Sequence, residues 1–425
     1  MSFIEETLKN IPLPKVIKVK QHFYSEKITE PDKELTKQLQ NLKEYKEIKA
    51  GEKIAITGGS RGIDQISLIT KTVCEMIKAK GAYPFIVPAM GSHGGATAQG
   101  QKEMLATFGI TEKTMEVPII SSMETVQIGE TETGRPIYMD KNAHQADGII
   151  LINRIKAHTS FKGKYESGLM KMMAIGLGKQ KGAQNYHQTG FKELPQIIEE
   201  VGNKIIEKEK IKFGIALIEN GYNKLCKIES IPPKEIPNRE EELLKYSYAT
   251  LPLPYFKKTD VMIVKEIGKD ISGTGHDPNV TGRYNNEHFK GQIHTEKLGI
   301  LELTKASHGN ANGIGMGDFI TKKLYKQMDI EQTYPNSLTS TAATTSKIPM
   351  IMRDDKQTIQ ACIKTSCIVD YTKVKLAILE NTKNLKTIYV TENMAREATE
   401  AGMEIIGKPK EIPFNEKNEI TLEFE

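Results

Sequence analysis

The apolar run at residues 148–152, GIILI, constrains the fold more than any other stretch of the sequence. Such a run is typical of a strand buried on both faces, as strands are in a parallel sheet. The next 35 residues, 153–187, contain two histidines, one arginine, six lysines and five glycines. Because open α/β sheets bind ligands at the carboxyl ends of their strands, this segment predicts a ligand site.

The composition predicts a soluble globular protein with more than one domain. The chain has 425 residues, of which 38% are hydrophobic and 27% charged, which is ordinary for such proteins. Its net charge of +5 is small and dispersed, so neither nucleic acid nor a membrane surface is expected as a partner. No apolar run is long enough to span a bilayer, and no secretory signal is visible. Four scattered cysteines without C-x-x-C spacing indicate a reduced, cytoplasmic protein.

Strand and helix patterns alternate along the chain. Residues 54–57 and 83–87 are predicted strands, and residues 63–79 and 96–108 are predicted helices. This alternation predicts an α/β fold with two α/β domains, mostly parallel sheets and an active site in the interdomain cleft.

The two prolines of LPLPYF mark the predicted domain boundary. We predict an N-terminal domain at residues 1–252, which carries the histidine and lysine motifs, and a C-terminal domain at 253–404. The tail at 405–425 is expected to return to the first domain.

Three predicted strands are followed by loops that carry Arg61, His93 and His158. Parallel strands place such loops at one edge of the sheet, so these side chains are expected to converge. Glycines on both sides of His93 would let the backbone approach a ligand closely. The alternative is that all three are solvated surface residues.

Two histidines suit acid–base chemistry at neutral pH, because the unperturbed imidazole pKa is about 6.5. On opposite sides of a carbon atom, His93 and His158 could each donate or accept a proton, which suits racemisation or epimerisation. Arg61 offers a two-pronged donor for a substrate carboxylate.

The segment SGLMKMMAIGL, residues 167–177, predicts a helix capped by Ser167. Lys171 lies among apolar residues, and burial would lower its pKa and make the amine a nucleophile or attachment point. The alternative is a lysine on a polar helix face. Lys179, in a Gly-Leu-Gly-Lys loop, could approach a phosphate. His187 could ligate a soft or borderline metal.

The motifs GGSRG, MGSHGG, KAHTSFKG, SGLMK and NYH, in this order, resemble those of the nickel-pincer lactate racemase superfamily of 2-hydroxyacid racemases and epimerases. The resemblance implies that Lys171 and His187 bind the cofactor: a nickel-pincer nucleotide tethered to Lys171, with His187 as the protein ligand to nickel. His93 and His158 would act in turn as catalytic base and acid, while hydride passes from the substrate to the cofactor and back.

In the second domain, the loop around Arg283 is expected to contribute to substrate binding, with Arg283 as a cation for a 2-hydroxy acid other than lactate. A structural glycine-rich turn is the alternative. The predicted function is therefore an isomerase acting on a small-molecule 2-hydroxy acid. A histidine-based metal hydrolase or lyase and a non-catalytic nucleotide-binding carrier are the rival hypotheses. The sequence does not predict the oligomeric state.

Overall fold

The computed structural model describes residues 2–424, without the side chain of Thr339. Its strands in chain order are β1 (Val16–Lys20), β2 (Lys53–Gly58), β3 (Tyr83–Pro88), β4 (Thr125–Glu130), β5 (Pro136–Asp140), β6 (Gly148–Arg154), β7 (Ile211–Glu219), β8 (Leu225–Ile231), β9 (Lys258–Ile267), β10 (His294–Leu303), β11 (Phe319–Thr321), β12 (Met350–Met352), β13 (Leu376–Leu379), β14 (Thr387–Thr391) and β15 (Glu404–Lys410). Its α-helices are α1 (Phe3–Leu8), α2 (Pro31–Asn41), α3 (Lys43–Lys46), α4 (Ile66–Ala79), α5 (Ala98–Thr107), α6 (Glu112–Met115), α7 (Lys141–His144), α8 (Leu169–Lys171), α9 (Lys179–His187), α10 (Leu194–Lys208), α11 (Ile236–Thr250), α12 (Pro278–Thr281), α13 (Lys322–Gln327), α14 (Ile330–Ser340), α15 (Asp355–Thr365) and α16 (Glu392–Glu400).

The chain forms two compact units. The inserted unit comprises residues 24–251, and the split unit comprises residues 2–23 and 252–424. The predicted boundary at 252 coincides with the point where the chain returns to the split unit, but residues 2–23 do not lie in the predicted N-terminal domain. They lie in the split unit because β1 pairs antiparallel with both β14 and β15. The pairing with β15 also places the tail there, and not in the predicted first domain.

The inserted unit is built on a five-stranded sheet in the order β3-β2-β6-β7-β8. Its first four strands are parallel, and β8 is antiparallel to β7. The predicted buried strand is β6, a central strand whose first five residues are all buried. Helix α4 packs its apolar face, including Ile69 and Val73, into the core on this sheet. The loops after β2, β3 and β6 therefore leave the sheet at one edge.

The split unit contains an eight-stranded sheet in the order β12-β11-β10-β9-β13-β14-β1-β15. Strands β12 to β13 are parallel, and the remaining pairs are antiparallel. Side chains of the same strand enter two different cores: Met262 and Val264 belong to one, and Val261 and Ile263 to the other. This alternation is what a sheet covered on both faces requires. The predicted α/β class with mostly parallel sheets is confirmed.

Two local predictions in the split unit are wrong. The sequence pattern of residues 358–363 predicts a strand, but these residues belong to α15, where the Asp354 side chain accepts a hydrogen bond from the Gln357 amide and caps the helix. The pattern of residues 317–326 predicts a single helix, but Phe319–Thr321 adds to the sheet as β11 before α13 begins. In the first case helix capping outweighed β propensity, and in the second case pairing with the sheet outweighed helix periodicity.

No helix within residues 2–424 combines the length and apolar character needed to cross a membrane. All four cysteines are free thiols in the structure.

Candidate functional site

The Arg61 loop begins directly after β2 and packs against the end of β6. A Cβ atom placed on Gly59 would lie 3.4 Å from Met172 Cε and 3.6 Å from Asn153 Oδ1. Asn153 in turn donates a hydrogen bond from Nδ2 to the Gly168 carbonyl, at 2.7 Å. The loop after β2 and the segment after β6 are thus held together at the carboxyl edge of the sheet.

Much of the Arg61 side chain is exposed to solvent, yet protein atoms crowd its guanidinium group. This desolvation lowers the pKa of Arg61, and the nearby charge of Arg154 lowers it further. Arg154 forms an ion pair with Glu219, whereas Arg61 forms no salt bridge with a described residue. A guanidinium group remains charged in proteins, so Arg61 is a cation available to an anionic ligand.

The His93 loop follows β3 and packs on the chain that leads from Lys171 to His187. The Gly91 amide donates to the Gly176 carbonyl at 3.2 Å, and a Cβ atom at Gly91, whose φ is +58°, would meet Ile175 at 3.3 Å. The His93 ring donates from Nδ1 to the Met90 carbonyl at 2.8 Å, since a carbonyl can only accept. In the neutral ring the lone pair therefore lies on Nε2.

The His158 loop is organised by the buried Glu166. Its carboxylate accepts hydrogen bonds from the His158 amide at 2.6 Å and from the Tyr248 hydroxyl at 2.8 Å. The His158 ring stacks on Phe161, with 4.1 Å between centroids and 28° between planes. The Ser160 amide donates to His158 Nδ1 at 3.0 Å, which places the proton of the neutral ring on Nε2.

Lys171 ends the short helix α8, and a π-helical turn, Met172–Gly176, follows. The expected cap, Ser167, is not the capping residue, because its backbone pairs with Lys156 in an isolated β-bridge. The cap comes from Glu240 of α11, whose Oε2 accepts from the Leu169 and Met170 amides at 2.7 and 2.9 Å.

A side chain at position 168 would overlap Glu240. A Cβ atom on Gly168 would lie only 2.1 Å from Glu240 Oε1. Burial raises the pKa of Glu240 to about 7, although its hydrogen bonds to the two amides oppose that shift. A buried titratable carboxyl group therefore supports the turn that carries Lys171.

Four of the predicted site residues share one electrostatic environment. Burial lowers the pKa of Lys171 to about 7, and the charge of Arg61 adds to this, while Glu166 opposes it. Burial lowers the pKa of His187 to about 4, with Lys171 as the second cause. The pKa of His158 lies well below 6.5, through burial and then the charges of Lys171, Lys162, His187 and Arg61. Both histidines are therefore neutral at pH 7, and Lys171 is partly neutral.

Lys171 and His158 also contact the same aromatic ring. Lys171 Nζ lies 5.2 Å from the centroid of Phe161, on which His158 is stacked. His187 ends α9 and packs edge-on against Phe191, at 6.0 Å between ring centroids. Within residues 2–424, no three His, Cys, Asp or Glu side chains are grouped so that they could hold a metal ion. His93, His158 and His187 thus do not form a three-histidine metal site.

Lys179 does not have the expected phosphate-facing role. Its side chain is fully buried, and its Nζ donates to the Pro88 carbonyl at 2.6 Å and to Gln101 Oε1 at 3.1 Å. The ammonium group also pairs with Asp140 at 3.2 Å. The ammonium group is therefore engaged within the protein and does not face a ligand.

Arg283, the predicted substrate cation, lies in the split unit. Its guanidinium group pairs with Asp318 at 2.8 Å and donates to the backbone carbonyls of Glu296 at 2.9 Å and Thr295 at 3.4 Å. These carbonyls belong to the amino-terminal end of β10, whereas α/β sheets bind ligands at the carboxyl end. The occupied guanidinium favours a structural role over the predicted one.

Sequence reasoning missed three residues that shape the site, namely Phe161, Glu166 and Glu240. Glu166 lies eight positions after His158, within residues 153–187, so a lone acidic residue among lysines was the available signal. Glu240 had no such signal, because it reaches the Lys171 turn from about 70 residues further along the chain.

The fold and site define an α/β protein in which a cationic site at the edge of a parallel sheet contains a lysine of lowered pKa and neutral histidines. Residues 5–199 match the family model of the lactate racemase N-terminal domain. Over these residues the match confirms the resemblance to lactate racemases that the motifs predicted. This similarity supports a racemase-type function.

A solved structure, the lactate racemase apoprotein from Thermoanaerobacterium thermosaccharolyticum, is similar in fold with a TM-score of 0.50. The two sequences are 14% identical over a match that covers 80% of this chain and 89% of that chain. No curated protein matches the chain in sequence.

Proposed function

We propose that the protein racemises or epimerises a 2-hydroxy acid. The observation that carries the proposal is the shared electrostatic environment of Arg61, His158, Lys171 and His187. A partly neutral lysine can be acylated, a neutral imidazole can bind a metal, and a charged guanidinium can bind a carboxylate. This set of states is what a lysine-tethered metal cofactor and an anionic substrate require.

The residues present fit the nickel-pincer nucleotide that the family resemblance implies. Lys171 would hold the nucleotide through its amine, whose pKa of about 7 leaves it reactive near neutrality. His187 would bind nickel through a ring whose pKa of about 4 keeps it unprotonated. When bound, the cofactor supplies a reversible acceptor for the hydrogen on C2 of the substrate.

The neutral rings of His93 and His158 carry their protons on different nitrogens. This difference supports their use as an acid–base pair. The Nε2 atom of His93 carries a lone pair, because its Nδ1 donates to the Met90 carbonyl. The Nε2 atom of His158 carries a proton, because its Nδ1 accepts from the Ser160 amide. In the proposed reaction His93 accepts the hydroxyl proton of one hand of the substrate, and the roles exchange for the other hand.

Arg61 defines the proposed substrate class. A two-pronged hydrogen bond from Arg61 to the C1 carboxylate would orient any 2-hydroxy acid. The expectation that the substrate is not lactate depended on Arg283, whose donors are bound to Asp318 and to backbone carbonyls. We therefore propose the class, and lactate, malate and gluconate-type sugar acids are the candidates to compare.

The experiment uses protein from a nickel-supplied host that makes the cofactor. One enantiomer of each candidate acid is incubated with it in deuterium oxide, and the products are resolved by chiral chromatography and NMR. We expect the opposite hand to appear with protium kept at C2, since hydrogen moves as hydride and does not exchange with solvent. Deuterium at C2 would instead indicate proton abstraction from carbon and would contradict the hydride proposal.

Variants separate this proposal from its rivals. His93→Asn and His158→Asn should each lower turnover by about 10²–10⁴-fold. His144→Asn is the matched control, because His144 is half-exposed on α7 and bonded to Glu209. A covalent mass adduct is expected on the wild-type peptide that contains Lys171, and Lys171→Ala should lack it. An adduct without turnover of any acid would favour the carrier hypothesis, and cleavage or loss of water from the acid would favour a hydrolase or lyase.

A further inference from the structure

The buried polar cluster around Lys179 connects three elements of the inserted unit. It consists of Lys179 at the start of α9, Gln101 on α5 and Asp140 at the end of β5, each 0% exposed. Lys179 Nζ is bonded to Gln101 Oε1 at 3.1 Å, paired with Asp140 Oδ2 at 3.2 Å, and bonded to the carbonyl of Pro88, the last residue of β3, at 2.6 Å. A lysine is almost never fully buried unless it is paired in this way.

The backbone conformation of Lys179 indicates that surrounding contacts hold this residue in place. Its φ is +54°, in the left-handed region that residues other than glycine rarely adopt. Such a conformation persists where the surrounding contacts hold it, and it is concentrated at functional sites. Here the contacts are those of the ammonium group.

Gln101 connects Lys179 to the His93 loop through hydrogen bonds. Its Nε2 donates to the Gly91 carbonyl at 2.9 Å and to the His93 carbonyl at 3.2 Å, while its Oε1 accepts from Lys179. The amide orientation is not ambiguous, because carbonyls only accept and an ammonium group only donates. One side chain therefore joins the loop that carries His93 to the helix that ends at His187.

The loop has little freedom apart from this bond. Gly94 and Gly100 are so close that a Cβ atom at Gly94 would lie 2.6 Å from the Gly100 backbone, and one at Gly100 would lie 2.1 Å from the Gly94 carbonyl. The loop is thus held against α5 on one side of His93 and by Gln101 at His93 itself. The Nδ1 bond to Met90 depends on the His93 backbone keeping this conformation.

We infer that Gln101, Lys179 and Asp140 act as positioning residues that fix the His93 backbone, and with it the imidazole tautomer, relative to the His187 helix. The inference rests on the proposed function only for the proton-accepting role of His93. The fixed tautomer itself is a property of the protein without cofactor and can be measured there. A cluster that merely stabilised the fold would leave the tautomer unchanged in a folded variant.

The test is the imidazole nitrogen NMR spectrum of the purified full-length protein without cofactor, with the His93 signals identified by their loss in His93→Asn. Wild type should show one tautomer of His93, with the proton on Nδ1. Gln101→Met and Lys179→Met should show a mixture of both tautomers. Gln99→Met and Lys181→Met are matched controls on the same helices: Gln99 is exposed and bonded to Glu103, and Lys181 is exposed over the Tyr138 ring. Both controls should match wild type.

Gln101→Glu decides the question if the methionine variants do not fold. It keeps the side-chain size and the acceptor for Lys179, but it replaces the donor to the Gly91 and His93 carbonyls by a second oxygen. We expect Gln101→Glu to fold and to show a mixture of both His93 tautomers. Lys179→Arg, unlike Lys179→Met, should show the single tautomer of wild type. In loaded enzyme, Gln101→Glu should lower kcat by about tenfold with KM unchanged. An unchanged His93 tautomer in Gln101→Glu would overturn the inference, whether or not the protein racemises any acid.

Discussion

The two units present similar polar loops after parallel strands, yet the loops differ in how their charges are matched. In the inserted unit, burial lowers the pKa of Lys171 to about 7, and the charge of Arg61 adds to this against the opposing charge of Glu166. In the split unit, the guanidinium of Arg283 pairs with Asp318. Asn312, in the loop after β10, accepts from the Thr345 hydroxyl at 2.9 Å and lies near Ser337. In the first set the charge of Arg61 has no acidic partner among the described residues, whereas in the second the charge of Arg283 is paired within the unit.

This difference teaches that a glycine-rich polar loop after a parallel strand is a weak indicator of a ligand site. A stronger indicator is a group of buried titratable side chains that depress one another's pKa. His276 illustrates the limit of the rule: burial lowers its pKa to about 4, as for His187, yet its Nδ1 bonds to Thr281 within the same loop. Burial alone does not distinguish a ligand from a structural histidine.

The largest expected effect concerns the amine of Lys171 in protein without cofactor. With a pKa of about 7, it should react with a small acylating reagent at neutral pH up to about 10³-fold faster than an ordinary lysine of pKa ~10.4. Lys269, which follows β9 and donates to the Gly273 carbonyl, is the comparison in the split unit. Peptide mass spectrometry over a time course measures both rates. Equal rates would mean that the pKa of Lys171 is not lowered relative to that of the comparison lysine.

The next effect compares His187 and His276, whose pKa values are both lowered to about 4. His187→Ala should reduce nickel in the loaded protein from about one ion per chain to nearly none, since a lost protein ligand typically costs at least 10–100-fold in metal affinity. His276→Leu should keep its nickel, because we assign His276 a structural role. Elemental analysis per chain measures this. Nickel that survives in His187→Ala but disappears in His93→Ala would favour the hydrolase hypothesis.

The two arginines give a third comparison. Arg61→Leu should lower kcat/KM by one to two decades, because a charge-assisted hydrogen bond contributes roughly 1.5–3 kcal/mol. Arg283→Leu should leave kcat/KM nearly unchanged and destabilise the fold by about 1–2 kcal/mol, since Asp318 loses its partner. Steady-state kinetics and denaturant unfolding measure the two outcomes. A loss of selectivity among acids in Arg283→Leu would restore its predicted substrate role.

A fourth effect concerns Glu240, whose pKa is raised from 4.5 to about 7 in the folded protein. Between these values the folded state holds more protons than the unfolded state, so the contribution of Glu240 to the free energy of unfolding falls as pH rises. Glu240→Gln removes this term, which amounts to at most about 3 kcal/mol. The variant should gain stability relative to wild type from about pH 5 to about pH 8.

Glu241→Gln, an exposed change on the same helix that removes the ion pair with Lys245, is the control. The difference in unfolding free energy between variant and wild type isolates Glu240 from the other titrating groups. If this difference is the same at both pH values, Glu240 does not titrate in the folded protein.

Local signals in the sequence predicted much of the inserted unit. The run at 148–152 became β6, and the loops with Arg61, His93 and His158 follow three adjacent parallel strands. The Gly134-Arg135-Pro136 sequence is typical of a hairpin turn, and it joins the antiparallel strands β4 and β5. These features depend on patterns of five to fifteen residues, which a single sequence displays.

The remaining features depend on contacts between distant residues. The position of β1 is fixed by strands about 370 and 390 residues later, so its unit could not be predicted from local pattern. The role of Glu240 and the ion pair of Arg283 also depend on residues distant in sequence, so local pattern could not predict them. The α15 error was avoidable, since Asp354 followed three residues later by Gln357 is an N-terminal capping signal.

The opposite tautomers of His93 and His158 have a kinetic consequence under the proposed racemisation. Mirror-image acids have equal free energies in solution, so the equilibrium constant of a racemase is one. The ratio kcat/KM must then be identical for the two hands, however unlike the two histidines are. The cost of breaking the Ser160 bond to His158 can therefore appear only as paired changes in kcat and KM. For one hand of the substrate, kcat and KM would both be larger than for its mirror image, by the same factor.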